Sequence, residues 1–168
     1  ILIGLVGSEM CIRDSKEHEY EKLRQMQAYT SAETCLQRYI LQYFGDEGED
    51  CKKCSNCLDE RELLDITIDA QKVLSCVVRM GERFGKTAVA QVLIGFKNKN
   101  IAKWNFESLS TFGIMKNHSQ KTVGELIDFL SAESYLNITS GNFPLLLLSA
   151  QGLKVLKGQI KVYRKASL

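Results

Sequence analysis

Between Tyr20 and Phe44 the apolar positions Leu23 and Met26, then Cys35, Leu36, Tyr39, Ile40 and Tyr43, recur at helical spacing. The repeat is interrupted at Thr30 and Ser31, where a capping residue belongs, so the pattern predicts two helices in a hairpin, the second ended by Gly45. After the mixed-charge linker LDERELLDIT, the stretch DAQKVLSCVVRMGERF places Val73, Leu74, Val77, Val78 and Met80 on one stripe, with Asp69 as N-cap and Gly85 as the stop. KTAVAQVLIGF predicts a further amphipathic helix up to Gly95, and KNKNIAKWN reads as a basic, asparagine-rich loop. Ser119 caps SQKTVGELIDFLSAESYL, whose Val123, Leu126, Ile127 and Leu130 share a face. Tyr135 to Thr139 and Phe143 to Leu148 read as two short strands around the turn SGN, and a last helix begins near Ala150.

Three helices followed by a two-stranded hairpin is the order of a winged helix. The expected fold is mainly α: a metal-binding helical hairpin over residues 16–61, then a winged-helix domain over 62–168, α+β with a short β-hairpin wing.

Composition agrees with a helix-rich globular chain. Of 168 residues, 45% are hydrophobic, 25% are charged and one is proline, enough to bury one ordinary core. The longest apolar run, PLLLLSA, falls far short of the roughly 18 to 20 residues of a membrane span, so the chain reads as soluble, with no membrane partner. Charge divides the chain in two. Residues 16–85 carry ten Lys and Arg against fourteen Asp and Glu, a net of −4, and residues 86–168 carry eleven against four, a net of +7. The second half has the balance that suits a polyanion.

The first fifteen residues, ILIGLVGSEMCIRDS, lack the basic start of a signal peptide. LVGSEMCIRDS resembles one reading frame of a transposase-end adapter from short-read sequencing libraries, so residues 1–15 are read as translated adapter, expected to be disordered, and Cys11 is set aside as a ligand.

CKKCSNC, residues 51–57, is the densest chemistry in the chain. Thiols this close on one loop favour a metal over disulfides, and hence a reducing cytoplasm. Cys51, Cys54 and Cys57 need a fourth partner. Cys76 sits in an apolar helical stripe and reads as packing, which leaves Cys35, fifteen intervening residues upstream of the knuckle. Four thiolates suit structural Zn²⁺ with no position open for catalysis, and Lys52 and Lys53 partly offset their charge. An iron–sulfur cluster is the rival, but the bacterial ferredoxin run needs another cysteine followed by proline, and Leu58, Asp59 and Glu60 stand there.

In the basic half, Lys97, Lys99, Asn100, Lys103, Lys116, Asn117, His118, Ser119 and Lys121 gather before and at the start of the third helix and are the expected DNA contacts. Lysine neutralises phosphate without reading bases bidentately, so binding is expected to be salt-sensitive and weakly sequence-specific. His118 reads as a polar loop residue and not a catalyst. Trp104 and Phe106 read first as core aromatics, with base stacking as the alternative. The chain has no G-x-x-x-x-G-K-[ST] loop and no acidic pair placed for magnesium, so ATP hydrolysis by these residues alone is not expected.

TCLQRYILQYFGDEGEDCKKCSNCLD, DAQKVLSCVVRMGERFG and LIGFKNKNIAKWNFESLSTFGIMK, taken in order, resemble the region that follows the motor in bacterial RecQ-family DNA helicases. The resemblance implies the zinc-binding and winged-helix (RQC) portion of an ATP-dependent 3′–5′ helicase acting in DNA repair, recombination and replication. It places ATP and Mg²⁺ in motor lobes upstream of residue 16. It assigns zinc to Cys35, Cys51, Cys54 and Cys57. It also implies duplex, forked and single-stranded DNA as partners, a monomer, a single-strand-binding protein as a further partner, and a bacterial cytoplasmic, nucleoid-associated setting. The hairpin around Ser140 and Gly141 is short and has no aromatic at its tip, so a strand-separating wedge is not expected there. Two other classes compete: a zinc-containing winged-helix transcription regulator, and a protein-interaction module built on the acidic half.

Overall fold

A computed structural model describes residues 6–140 and 143–166, with side chains from residue 18 onward. The acidic half is a helical hairpin closed by a cysteine knuckle: α1 (Val6–Ser31), α2 (Leu36–Tyr43) and the one-turn α3 (Ser55–Leu58). The break between α1 and α2 falls where the pattern placed it, and Gly45, at φ +77, follows the end of α2. Disorder was expected over residues 1–15, but α1 extends back to Val6, because the stretch 6–15 holds no proline and a single glycine to stop a helix already growing from its C-terminal side. Residues 1–5 lie outside the described residues.

β1 (Leu63–Asp65) opens the second half and pairs antiparallel with the last element, β4 (Tyr163–Lys165), in the register Leu63 to Lys165 and Asp65 to Tyr163. The linker LDERELLDIT is therefore partly a strand. Next come α4 (Thr67–Arg79), α5 (Lys86–Ile94), the short α6 (Lys99–Lys103), a 3₁₀ turn (Phe106–Ser108) and α7 (Gln120–Ala132). The wing is β2 (Leu136–Ile138) against β3 (Leu146–Leu148), and α8 (Ala150–Leu156) returns the chain to β4.

Three boundary expectations are corrected by backbone hydrogen bonds. Asp69 is not the N-cap of α4. The helix starts two residues earlier, with the Asp65 carboxylate accepting the Thr67 N–H at 2.9 Å, and Asp69 sits in the first turn, paired with Lys72 at 2.7 Å. Gly85 does not stop α4, which ends at Arg79 before Gly81 at φ +76; Gly85 is instead the residue before α5. KNKNIAKWN is not all loop, because the Asn98 side chain accepts the Ile101 N–H at 2.8 Å and caps α6. Ser119 caps α7 as predicted, accepting from the Thr122 N–H at 3.1 Å.

The core belongs to the second half. Val73, Leu74 and Val77 of α4, Val89, Val92 and Leu93 of α5, and Val123, Ile127 and Leu130 of α7 are buried around Leu136 and Leu146 of the wing. Val78, predicted on the α4 stripe, is exposed, and Cys76 takes the buried position in its place. The hairpin stripe is different. Leu23, Met26, Ile40 and Tyr43 remain exposed on the open side of α1 and α2. Among the described residues no helix is long and apolar enough to cross a membrane.

Candidate metal centre and nucleic-acid interface

The Sγ atoms of Cys35, Cys51, Cys54 and Cys57 lie within 4.8 Å of one another. Local backbone brings them there. Cys35 precedes the first turn of α2 and Cys54 precedes α3, so two helix starts face a common centre. Lys52 adopts φ +55, a left-handed turn unusual for a side-chain-bearing residue, and it curls the knuckle back on itself. The Cys51 N–H then donates to Cys35 Sγ and the Cys54 N–H to Cys51 Sγ, each at 3.3 Å. Asn56 fixes the knuckle to the α1–α2 connection by donating to the carbonyls of Ala32 (2.7 Å) and Thr34 (2.9 Å).

Hydrogen bonding and burial shift the thiols of the cluster in different directions. The Cys51 N–H, and after it that of Arg38, lowers the Cys35 thiol. Burial raises Cys54, but the Leu36 and Cys57 N–H groups outweigh it and bring that thiol down to about 6. Burial, then the hydrogen bonds with Cys54 and Cys35, pushes Cys57 up to about 12. A tetrahedron of thiolates about 2.3 Å from zinc has edges of about 3.8 Å, within the observed clustering, so the donor set fits structural Zn²⁺. Cys76 is apart from it, fully buried, its thiol pushed up to about 11 by burial and its sulfur 3.6 Å from Met80 Sδ.

A polar seam, which the sequence pattern did not signal, ties this centre to the second half. Glu33, between α1 and α2, accepts from Arg164 Nε at 3.0 Å and from the Lys165 N–H at 2.9 Å, while its own N–H donates to Glu133 at 3.1 Å. Lys165 Nζ reaches the carbonyls of Asn56 (2.5 Å) and Asp59 (3.2 Å). Hydrogen bonds from the Arg61 side chain and N–H, then from Lys165, hold the Asp59 carboxyl far below the usual carboxylate range. Arg24 of α1 donates to the Thr139 carbonyl at the end of β2.

All nine residues expected to meet DNA are exposed. Lys97, Lys99, Asn100 and Lys103 lie on or just before α6, and Lys116, Asn117, His118, Ser119 and Lys121 lead into α7. The end of α5 joins the two groups. Gly95 at φ +76 lets the backbone of Gly113 pass close by, and the N–H groups of Gly113 and Met115 donate to the Val92 (2.9 Å) and Leu93 (2.8 Å) carbonyls. Glu107 pairs with Lys97 at 3.7 Å and Glu125 with Lys121 at 3.9 Å. α7 itself is mostly core, exposing only a narrow stripe that includes Lys121 and Glu125.

Two aromatic expectations change. Phe106 is core, but Trp104 is 55% exposed, since α6 is short and its last turn leaves the indole at the rim. At the wing tip Gly141 and Asn142 lie outside the described residues, and Phe143 beside them is 88% exposed, so an aromatic does stand next to the turn.

A four-thiol zinc clasp joined to a winged helix defines a class of two-part, metal-braced winged-helix proteins. Residues 60–168 match the RQC domain and residues 5–58 the RecQ zinc-binding domain, and the chain belongs to the RQC domain family, with the make-up of a RecQ C-terminal region. It is 47% identical over 156 residues to the ATP-dependent DNA helicase RecQ of Bacillus subtilis (strain 168), covering 92% of this chain and 26% of that protein. It is 37% identical over 117 residues to RecQ of Pasteurella multocida, covering 67% and 18%, and 31% identical over 149 residues to RecQ of Haemophilus influenzae, covering 86% and 24%. The chain spans about a quarter or less of the length of these relatives.

Proposed function

We propose that this chain is the zinc-binding and winged-helix part of an ATP-dependent 3′–5′ DNA helicase of RecQ type, serving repair, recombination and replication. The observation that carries it is the joint presence, in order on one chain, of the two RecQ domains, with the four thiols gathered to one centre. Cys35, Cys51, Cys54 and Cys57 hold the zinc, which folds the hairpin and takes no part in chemistry. The winged helix grips duplex or forked DNA, with Lys97, Lys99, Asn100, Lys103, Lys116, Asn117, His118, Ser119 and Lys121 supplying phosphate contacts while a motor elsewhere in the polypeptide draws one strand. Such a protein works as a monomer in the bacterial cytoplasm, at the nucleoid, with a single-strand-binding protein as a partner, and residues 1–15 are adapter-derived. A sequence-reading transcription regulator is less favoured, because the three relatives all carry helicase names.

Binding of the zinc-loaded chain to a forked duplex, followed by fluorescence anisotropy across a salt series, tests the assignment. Affinity should fall steeply with salt and vary little with sequence, and Lys99→Ala or Lys116→Ala should each reduce the log–log slope by about one. Binding no better than that of an acidic control protein at low salt would remove the DNA assignment.

A further inference from the structure

The basic face holds a cavity that phosphate contacts alone leave unused. About 500 Å³ of space lies between α5 and α6, lined by Phe84, Ala88, Gln91, Asn100, Ile101 and Trp104. Its aromatic wall is fixed in place: the Phe84 ring meets Trp104 edge-on at 5.4 Å and Phe106 at 4.8 Å, over buried Phe106 and Ile101. Trp104 is held by this packing and still exposes half its surface. The polar lining is divided. Asn98 is used within the fold, capping α6 and donating to Gln91 Oε1 at 3.0 Å, which leaves the Gln91 amide nitrogen and the Asn100 side chain without a protein partner among the described residues. Lys99 and Lys103 stand exposed on α6 and, unlike Lys97, make no ion pair among the described residues.

We propose that this cavity receives an unpaired nucleobase of DNA. The base stacks on Trp104, the Gln91 amide meets its edge, and Lys99 and Lys103, with Asn100, take the phosphates on either side. The proposal rests on the DNA-binding assignment above and adds to it a site for a single-stranded nucleotide next to the gripped duplex. Charge selects this occupant: two unpaired lysines beside an exposed indole suit a strand that is aromatic and anionic at once. Stacking accepts any base, as the lysine-dominated surface around it requires.

Trp104 is the sole tryptophan of the chain, so its emission reports on the cavity without any substitution. A duplex with a single-stranded tail should quench that emission, and the blunt duplex of the same pairs should leave it unchanged. Trp104→Ala should weaken tailed-duplex binding roughly 5- to 100-fold while blunt-duplex binding is kept, and Trp104→Phe should restore most of the loss. Tailed-duplex binding with unmoved emission, or with undiminished affinity in the alanine variant, overturns the proposal and leaves the DNA assignment standing. Failure to bind either duplex overturns the DNA assignment and the cavity with it. A concentration-dependent dimer that shields Trp104 in the absence of DNA also overturns it, by giving the cavity a protein occupant.

Discussion

The two halves of the molecule are held together by different physics. Among residues 18–62 only Ala32 and Cys35 are buried hydrophobics, whereas from Ala70 to Val162 apolar side chains from α4, α5, α7, α8 and the wing close around one another. The first half therefore cannot offset its chain entropy by burial and depends on four sulfurs, an asparagine clamp and a polar seam. The second half has an ordinary core and needs no metal. A helical pattern can thus be equally clear in two places and mean different things: on α4 and α7 it marks a core, and on α1 and α2 it marks a face that the described chain leaves open.

Removing zinc should break the comparison most visibly. Structural zinc contributes about 10–16 kcal/mol in small zinc-binding peptides, so a strong chelator or Cys35→Ser should unfold residues 32–58 while the α4–α7 core still melts cooperatively. Amide-resolved NMR with and without chelator would show it, and simultaneous loss of both halves would contradict it. Leu130→Ala attacks the other half. A buried leucine truncated in a packed core costs about 2–5 kcal/mol, measurable by urea denaturation, with zinc content unchanged.

Glu33→Ala addresses the seam between the two. It leaves Arg164 Nε and the Lys165 N–H without their partner, a loss of about 1–3 kcal/mol that should appear as two separated transitions in calorimetry. Ser119→Ala is the mildest change, costing about 1 kcal/mol through the lost cap of α7 in a thermal melt and leaving zinc binding intact.

The longer helices, the wing, the Ser119 cap and the cysteine set were legible in the sequence, because each depends on local periodicity or on ligand spacing, whereas the one-turn α3 and the short α6 were not. Long-range polar partnerships were not. Glu33 looks like any acidic residue after a helix until Arg164 and Lys165 arrive from 131 and 132 residues away. β1 and β4, three residues each, are too short to show alternation and are strands only because they meet. Trp104 misled for the opposite reason: tryptophan is usually buried, and only the shortness of α6 reveals that this one is not.

The β1–β4 pair has a mechanical consequence. Leu63 faces Lys165, and the Ala166 N–H donates to the Glu62 carbonyl at 2.9 Å, so the two ends of the winged-helix half leave side by side. Tension between those ends would load this ladder as a zipper, one rung at a time from the Glu62 end, and not in shear. Arg61, bonded to the Ala166 carbonyl at 2.9 Å, and Lys165, bonded to the Asn56 and Asp59 carbonyls, form a rivet across the first rung. A zipper riveted at its open end resists the small tugs of thermal motion. With that rivet broken, the Glu33 contacts to Arg164 and the Lys165 N–H would carry the load next.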